Sequence, residues 1–400
     1  MQFALNLLLA LPAVLAAPSI DRRQEAGIQR IADSWIVELE DGQNLDAVLA
    51  SVKEATGVEP EATYTIGKFK GFAFKGDDST VDALAGMDEL KRIESDVVVT
   101  AYAPAADVAD IQQRALVSQN PSTWGLSRIS SRSRGGSTYR YDSTAGQGVN
   151  IYVLDTGVNS AHQDFGGRAI QGANFISGES IADGNGHGTH CSGTAAGTTY
   201  GVAKRATVIG VKVLSSSGSG SLAGIINGID WAVNDARTRG GVGRSVFSMS
   251  LGSPFSQTSN NAIRNAVSAG IFVAVAAGND NANAANFSPA SEASACTVGA
   301  TDINDNRSTF SNFGSLVDIF APGTNILSTW IGSSTATRTI SGTSMACPHV
   351  AGLAAYLIGL EGTRTPAALC QRIQSLSTKN VIVGPGSGSP NYLAYNGNGA

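Results

Sequence analysis

Between residues 34 and 102 the apolar positions alternate between two periods. Trp35-Ile36-Val37, Tyr64-Thr65-Ile66, Phe72-Ala73-Phe74 and Val97-Val98-Val99 are short runs of β-branched and aromatic residues, the composition of strands. Leu45, Val48, Leu49 and Val52, and then Val81, Leu84 and Met87, recur every three or four residues, which sets them on one face of a helix. Gly67 and Gly71 mark a turn between the two middle strands. The order β-α-β-β-α-β predicts a small ferredoxin-like α+β unit.

From about residue 145 the pattern changes. Mainly apolar runs at 149–154, 208–214, 246–251 and 271–277 read as buried strands. Between them, Leu222, Ile225, Ile226, Ile229 and Val233 mark one helix face, and Ile263, Ala266 and Val267 another. This alternation predicts an α/β fold, a parallel sheet sandwiched by helices. Residues 103–117 form a weakly patterned linker. Gly- and Ser-rich tracts at 215–221 and 384–389 are loops. At the N-terminus, residues 3–15 are apolar apart from Asn6 and Pro12. The run is too short to span a bilayer, which takes about 20 residues. Its small-residue end predicts a signal peptide cleaved after Ala16. No later segment reads as a transmembrane helix.

Charge divides the chain at the same place as pattern. Of the net −5, residues 1–114 carry −9 and residues 115–400 carry +4, so the two parts have different tasks. No basic stripe interleaved with aromatics appears, which argues against a nucleic-acid partner. The four cysteines, Cys191, Cys296, Cys347 and Cys370, allow three full pairings, and none has a Cys-x-x-Cys spacing.

In a parallel sheet the reactive groups gather at the carboxyl ends of strands. Asp155 follows the run ending in Leu154, and Asn279 follows the run ending in Ala277-Gly278. His187 lies in Asn185-Gly186-His187-Gly188-Thr189-His190. Ser344 lies in Gly342-Thr343-Ser344-Met345-Ala346-Cys347-Pro348-His349, at the start of a helix running to Gly359. A serine hydroxyl needs an adjacent base to become nucleophilic. An imidazole can be that base near neutral pH, and a buried carboxylate orients it. An Asn amide and the nucleophile's own N–H can stabilise an oxyanion.

Each piece has a plainer reading. Asp155 suits an Asx turn, and Ser344 suits a helix N-cap. His187 and His190 have the spacing of a metal pair, but the Glu of His-Glu-x-x-His is missing. The absence of a Gly-x-Ser-x-Gly elbow argues against an esterase or lipase. A non-catalytic binding protein on the same fold would be expected to have lost one of these groups. All four together, in the order Asp, His, Asn, Ser, point to hydrolysis.

These motifs, with Trp124-Gly125-Leu126 and Gly201-Val202-Ala203-Lys204, resemble the subtilisin family, and within it the fungal proteinase K group. Similarity extends over nearly all of 115–396, and residues 34–102 resemble the family's inhibitory propeptide. The resemblance implies a secreted serine endopeptidase of broad specificity. Ser344 would be the nucleophile, His187 the base, Asp155 its orienting partner and Asn279 the oxyanion donor. Gly218-Ser219-Gly220 and Ser250-Leu251-Gly252, with Gly278, would bind an extended peptide substrate as an added strand. No acidic residue lies in these segments, so an apolar or aromatic residue before the scissile bond is expected.

The resemblance further implies a domain plan: signal 1–16, propeptide 17–114 and peptidase 115–400, with maturation after Arg114. The propeptide would serve as inhibitor and folding aid, its tail 103–114 lying along the cleft. A disulfide between Cys296 and Cys370 is implied, with Cys191 a buried thiol behind the histidine. The pairing state of Cys191 and Cys347 stays open. No cofactor is expected for catalysis. A structural calcium is implied at the Ala293 and Ala295 carbonyls and the Asp318 carboxylate, the oxygen ligands calcium prefers. A second, weaker family calcium site would need an aspartate where Val381 stands. A monomer is expected, without nucleic-acid or membrane partners. Asn286 and Asn306 begin glycosylation sequons, the first followed by Pro289.

Overall fold

The computed structural model describes residues 17–22, 29–101 and 118–398. The expected signal peptide, the 103–114 tail and the junction at Arg114 lie outside the described residues.

The N-terminal unit is built as its periodicity predicts. Strand β1 (Arg30–Leu39) is followed by helix α1 (Leu45–Thr56), β2 (Pro60–Ile66), β3 (Phe69–Lys75), α2 (Asp78–Leu84) and β4 (Leu90–Ala101). The sheet order is β4-β1-β3-β2, with antiparallel pairs throughout. Asn44 and Asp77 cap the two helices, their side chains accepting from Ala47 N and Thr80 N; such caps contribute about 1 kcal/mol each. One sheet face packs on α1 and α2 through Trp35, Val37, Val48, Val52, Phe72 and Phe74. A short strand that the pattern did not predict, Ser19–Asp21, runs parallel to β4.

The C-terminal unit contains a nearly all-parallel sheet. Its core strands are β5 (Asn150–Asp155), β6 (Ala169–Asn174), β7 (Thr207–Lys212), β9 (Ser245–Met249), β11 (Phe272–Ala276), β12 (Cys296–Thr301) and β13 (Ile319–Pro322). They are ordered β6-β7-β5-β9-β11-β12-β13. Strand order reverses between β5 and β9, the position where open α/β sheets form a crevice at their carboxyl ends. Helices α3 (His187–Ala196), α6 (Thr343–Glu361) and α7 (Pro366–Leu376) cover one face, and α4 (Leu222–Thr238) and α5 (Gln257–Ser268) the other. Within β5, Ile151 and Val153 point to the first side and Tyr152 and Leu154 to the second. Helix α6 is apolar and long enough to cross a membrane, but it is buried in this core.

The apolar run at 246–251 does not remain one strand. β9 ends at Met249, and β10 (Leu251–Pro254) leaves the core sheet to join the N-terminal unit's sheet. Ser250 is the hinge.

The second face of the N-terminal sheet has no helices of its own. Ile36, Tyr64, Ile66, Phe69, Ala73, Val97 and Val99 share a core with Leu222, Ile225 and Ile263 from α4 and α5. Three buried carboxylates cross this interface. Glu94 accepts from Ser256 Oγ at 2.5 Å, and from Thr258 N at 3.2 Å and Oγ1 at 2.6 Å, at the start of α5. Asp96 accepts from Ala223 N at 3.2 Å, in the first turn of α4. Glu38 accepts from Asn261 Nδ2 at 2.7 Å. Helix N-termini carry unpaired N–H groups and a positive dipole end, so carboxylates are stabilised there.

Candidate active site

The turn after β5 puts Asp155 at the crevice. Gly157 there has φ +109°, and a Cβ on Gly188 would lie 2.3 Å from the Gly157 carbonyl; only glycine lets α3 begin so close to this turn. His187, the first residue of α3, points its Nδ1 at Asp155 Oδ1, 2.7 Å away. The same carboxylate oxygen accepts Thr156 N at 2.7 Å. Asp155 Oδ2 and His187 Nε2 have no hydrogen-bond partner, so Nε2 is the ring atom left to exchange a proton. Burial alone would lower the imidazole's pKa. The Asp155 carboxylate more than offsets it, and His187 is held well above its ordinary value.

Ser344 stands in the first turn of α6, after the cap residue Gly342. It is therefore not the N-cap itself. Its Oγ donates to Ser250 O at 3.1 Å, and Ser250 Oγ donates back to Ser344 O at 2.9 Å. The second bond has a local cause. Pro348 lies four residues on and has no N–H, so the Ser344 carbonyl lacks its helical donor. Ser250 Oγ and the Cys191 thiol, at 3.4 Å, supply donors instead. Cys191 Sγ also lies 4.0 Å from His187 Nδ1, so one sulfur touches both the histidine and the serine backbone. Burial pushes the Cys191 and Cys347 thiols up. Both are free, which answers the pairing question, and the disulfide joins Cys296 to Cys370 with Cα atoms 6.1 Å apart.

Asn279 follows β11. Its Oδ1 accepts from Thr343 N at 2.9 Å and Thr343 Oγ1 at 2.8 Å, which fixes the amide beside the start of α6. Gly278 N donates to the same Thr343 hydroxyl at 3.2 Å.

His190 belongs to the core. Its Nε2 bonds the Ile326 and Arg338 carbonyls at 2.9 and 3.1 Å, and burial lowers its pKa to about 3. It turns away from His187, and the metal-pair reading fails for that reason.

The two expected substrate edges flank one groove, and a strand lies between them. β8 (Ser219–Ser221) and β10 both pair antiparallel with the end of β4: Ser219 with Thr100, Gly220 with Val99, Leu251 with Ala101, and Gly252 with Thr100. Ala101 N donates to Gly218 O at 3.0 Å.

Three positioning groups were not singled out from sequence. Asp183 collects Thr156 Oγ1, Asn185 N, Gly186 N and both donors of Thr189 within 2.9 Å. The Asp183-Gly184-Asn185-Gly186 turn composition was the available signal. Asn312 holds the Asn279 loop through Asp280 N, Ala282 N and Ala277 O. Lys212 lies buried behind Asp155. Asn312 carried no local signal, whereas Lys212 could have been found as the lone charge in the apolar 208–214 run.

The expected calcium ligands have compatible chemistry. Burial pushes Asp318 up to about 6. Its oxygens accept only Thr297 N at 2.8 Å and the Gln374 amide at 3.2 Å. Among the described residues no basic side chain pairs with it. A half-buried carboxylate without a basic side-chain partner, beside the 293–295 loop that enters β12, is a donor set a hard divalent ion fits. Of the sequon residues, Asn286 is exposed while Asn306 is half-buried with its Nδ2 bonded to Asp302 at 2.9 Å.

Comparison with known proteins gives a consistent picture. The family model described as "Subtilase family" matches residues 146–393. The chain is 49% identical over 403 residues to the "Cuticle-degrading protease" of Metarhizium anisopliae, covering 98% of both chains. It is 46% identical over 398 residues to "Proteinase R" of Parengyodontium album, covering 98% of this chain and 97% of that one. Among solved structures, a cold adapted subtilisin-like serine proteinase superposes with TM-score 0.66 at 43% identity, covering 69% of this chain and 99% of its own.

Proposed function

Since the chain belongs to the subtilase family of subtilisin-like serine endopeptidases, we propose that it is a secreted, broad-range member made as a zymogen, with Ser344, His187 and Asp155 as its catalytic triad. The observation that carries this reading is the 2.7 Å contact of His187 Nδ1 with Asp155, joined to the Ser344 backbone by Cys191 Sγ, which touches both His187 Nδ1 and Ser344 O. In the reaction, Ser344 Oγ attacks the substrate carbonyl while His187 Nε2 takes its proton. Asp155 keeps Nδ1 protonated and stabilises the imidazolium. The Asn279 amide and Ser344 N–H stabilise the oxyanion, and the dipole of α6 adds to this. His187 then returns the proton to the leaving amine, and water cleaves the acyl-enzyme by the reverse steps.

Substrate would bind where β4 now lies. A peptide strand between β8 and β10 gains main-chain hydrogen bonds from both sides and few side-chain constraints, which suits broad specificity. Occupation of that groove by residues 98–101 supports an inhibitory role for residues 17–114. The register is informative. Ala101 lies opposite Leu251 and Thr100 opposite Gly252, the antiparallel alignment a peptide substrate would take along this edge. Maturation after Arg114 would give Ala115 as the mature start. Calcium, held by Asp318 and the Ala293 and Ala295 carbonyls, would supply charge balance for the fold and no catalytic step. Asn286 is the better glycan acceptor of the two.

The test is casein hydrolysis by purified mature enzyme with and without phenylmethylsulfonyl fluoride, beside Ser344→Ala. Loss of activity in both is expected. A Ser344→Ala protein that still hydrolyses casein would overturn the assignment. N-terminal sequencing of the matured enzyme should give a start at Ala115, and a start more than a few residues away would overturn the maturation site.

A further inference from the structure

We propose that Lys212 is a positioning residue that fastens the substrate-binding edge at 215–220 to the turn carrying Asp155. The inference rests on the protease reading above and adds to it. Lys212 ends β7, in register with Asp155 on β5, and its side chain is wholly buried. An ammonium group has three protons to place. Here Nζ meets three acceptors: Thr156 O at 2.9 Å, Leu214 O at 2.9 Å and Glu179 Oε2 at 3.1 Å. The first belongs to the catalytic turn. The second opens the loop leading to β8. The third lies on the loop after β6.

Glu179 continues the connection. Its carboxylate accepts Ser216 N at 2.9 Å and Ser216 Oγ at 3.0 Å. Ser215 N bonds Ser219 O at 2.8 Å, closing the loop onto β8. Asn185 joins the same loop to the histidine: Nδ2 donates to Ser216 O at 3.0 Å, while Oδ1 accepts His187 N at 3.2 Å. The loop that presents one substrate edge is therefore tied to both Asp155 and His187 by polar side chains.

A buried ion pair adds little net stability compared with apolar residues of the same shape. An aliphatic side chain ending β7 would pack there with less desolvation. What the ammonium supplies is direction, because three fixed acceptors set where the loop sits relative to the turn.

The variants are Lys212→Met and the milder Glu179→Gln, whose wild-type side chain is partly exposed. Each is made in the full-length precursor, matured, and assayed on a tetrapeptide anilide that reaches β8 and on a single-residue ester that does not. For the anilide, kcat/KM should fall about tenfold or more, mainly through KM, while the ester changes less than about threefold. If Lys212→Met does not mature, Glu179→Gln carries the test with a smaller ratio change. Equal losses on both substrates, or unchanged ratios in both variants, would overturn the proposal. Failure of wild type on both substrates would instead overturn the protease reading.

Discussion

Buried carboxylates are balanced differently in the two units. In the N-terminal unit, Glu94 and Asp96 are almost wholly buried, and their charge is met by the first turns of α5 and α4 in the other unit. In the C-terminal unit, Asp155 is met by His187 of the same unit, and Asp318 by two neutral donors only. The peptidase unit thus completes its own core and site. The N-terminal unit leaves one sheet face and its acids to be completed by its neighbour. That dependence on the neighbouring unit is the arrangement the proposed inhibitory role calls for.

The strongest way to break this comparison is at Asp155. Asp155→Asn keeps the shape but removes the charge that holds the His187 tautomer, and kcat should fall by about 10⁴. The pH profile checks the cause. His187 is held above its ordinary value by Asp155 despite burial, so wild-type kcat/KM should rise with pH as the imidazole loses its proton. In the variant that limb should move down. An unmoved limb would mean that another group sets it.

Next is Glu94→Ala, which leaves the Thr258 N–H and the Ser256 and Thr258 hydroxyls without their acceptor. Removing one partner of such a buried charged contact costs about 2–5 kcal/mol. The Ki of residues 17–114 added to mature enzyme should then weaken about thirtyfold or more. An unchanged Ki would show that the shared apolar face alone holds the units together.

How much of this was legible in the sequence depended on the range of the interactions. Local period sufficed for α1, α2 and the four strands of the N-terminal sheet. The triad residues could be named because each follows a buried run or opens a helix. Ser250 could not be read as a hinge, because Ser248 and Ser250 both interrupt the Val246 to Leu251 run and its division depends on which sheet each half joins. Glu94 and Asp96 read only as part of an acidic unit, since the N–H groups that use them lie more than a hundred residues away. Lys212 stands out as a charge in an apolar run, but what it binds depends on how separate loops close around it.

Asp318 sharpens the comparison within the peptidase unit. Binding of calcium to the folded state alone stabilises by about 2.7 kcal/mol at a hundredfold excess over Kd. Wild type should gain several degrees in Tm on calcium addition, and Asp318→Asn should lose most of that gain. An equal gain in the variant would remove Asp318 from the site.

The smallest effect is expected at Asp96, and it tests the interface most directly. Burial raises its pKa above the ordinary carboxylate value, and the bonds from Ala223 N and Ser34 Oγ only partly offset this. In the separated unit the group should titrate near about 3.9. Forming the complex therefore takes up a proton between those two values. By linkage, affinity is greatest at the acidic end and falls as pH rises through the raised pKa, because the bound carboxylate must then stay charged and buried. Asp96→Asn has no proton to take up. Its Ki should lack that share of the pH dependence, a change of less than about tenfold, and should lie below wild type at the alkaline end. If both Ki values follow the same pH curve, Asp96 does not titrate across the interface, and the loosening with pH belongs to another buried group.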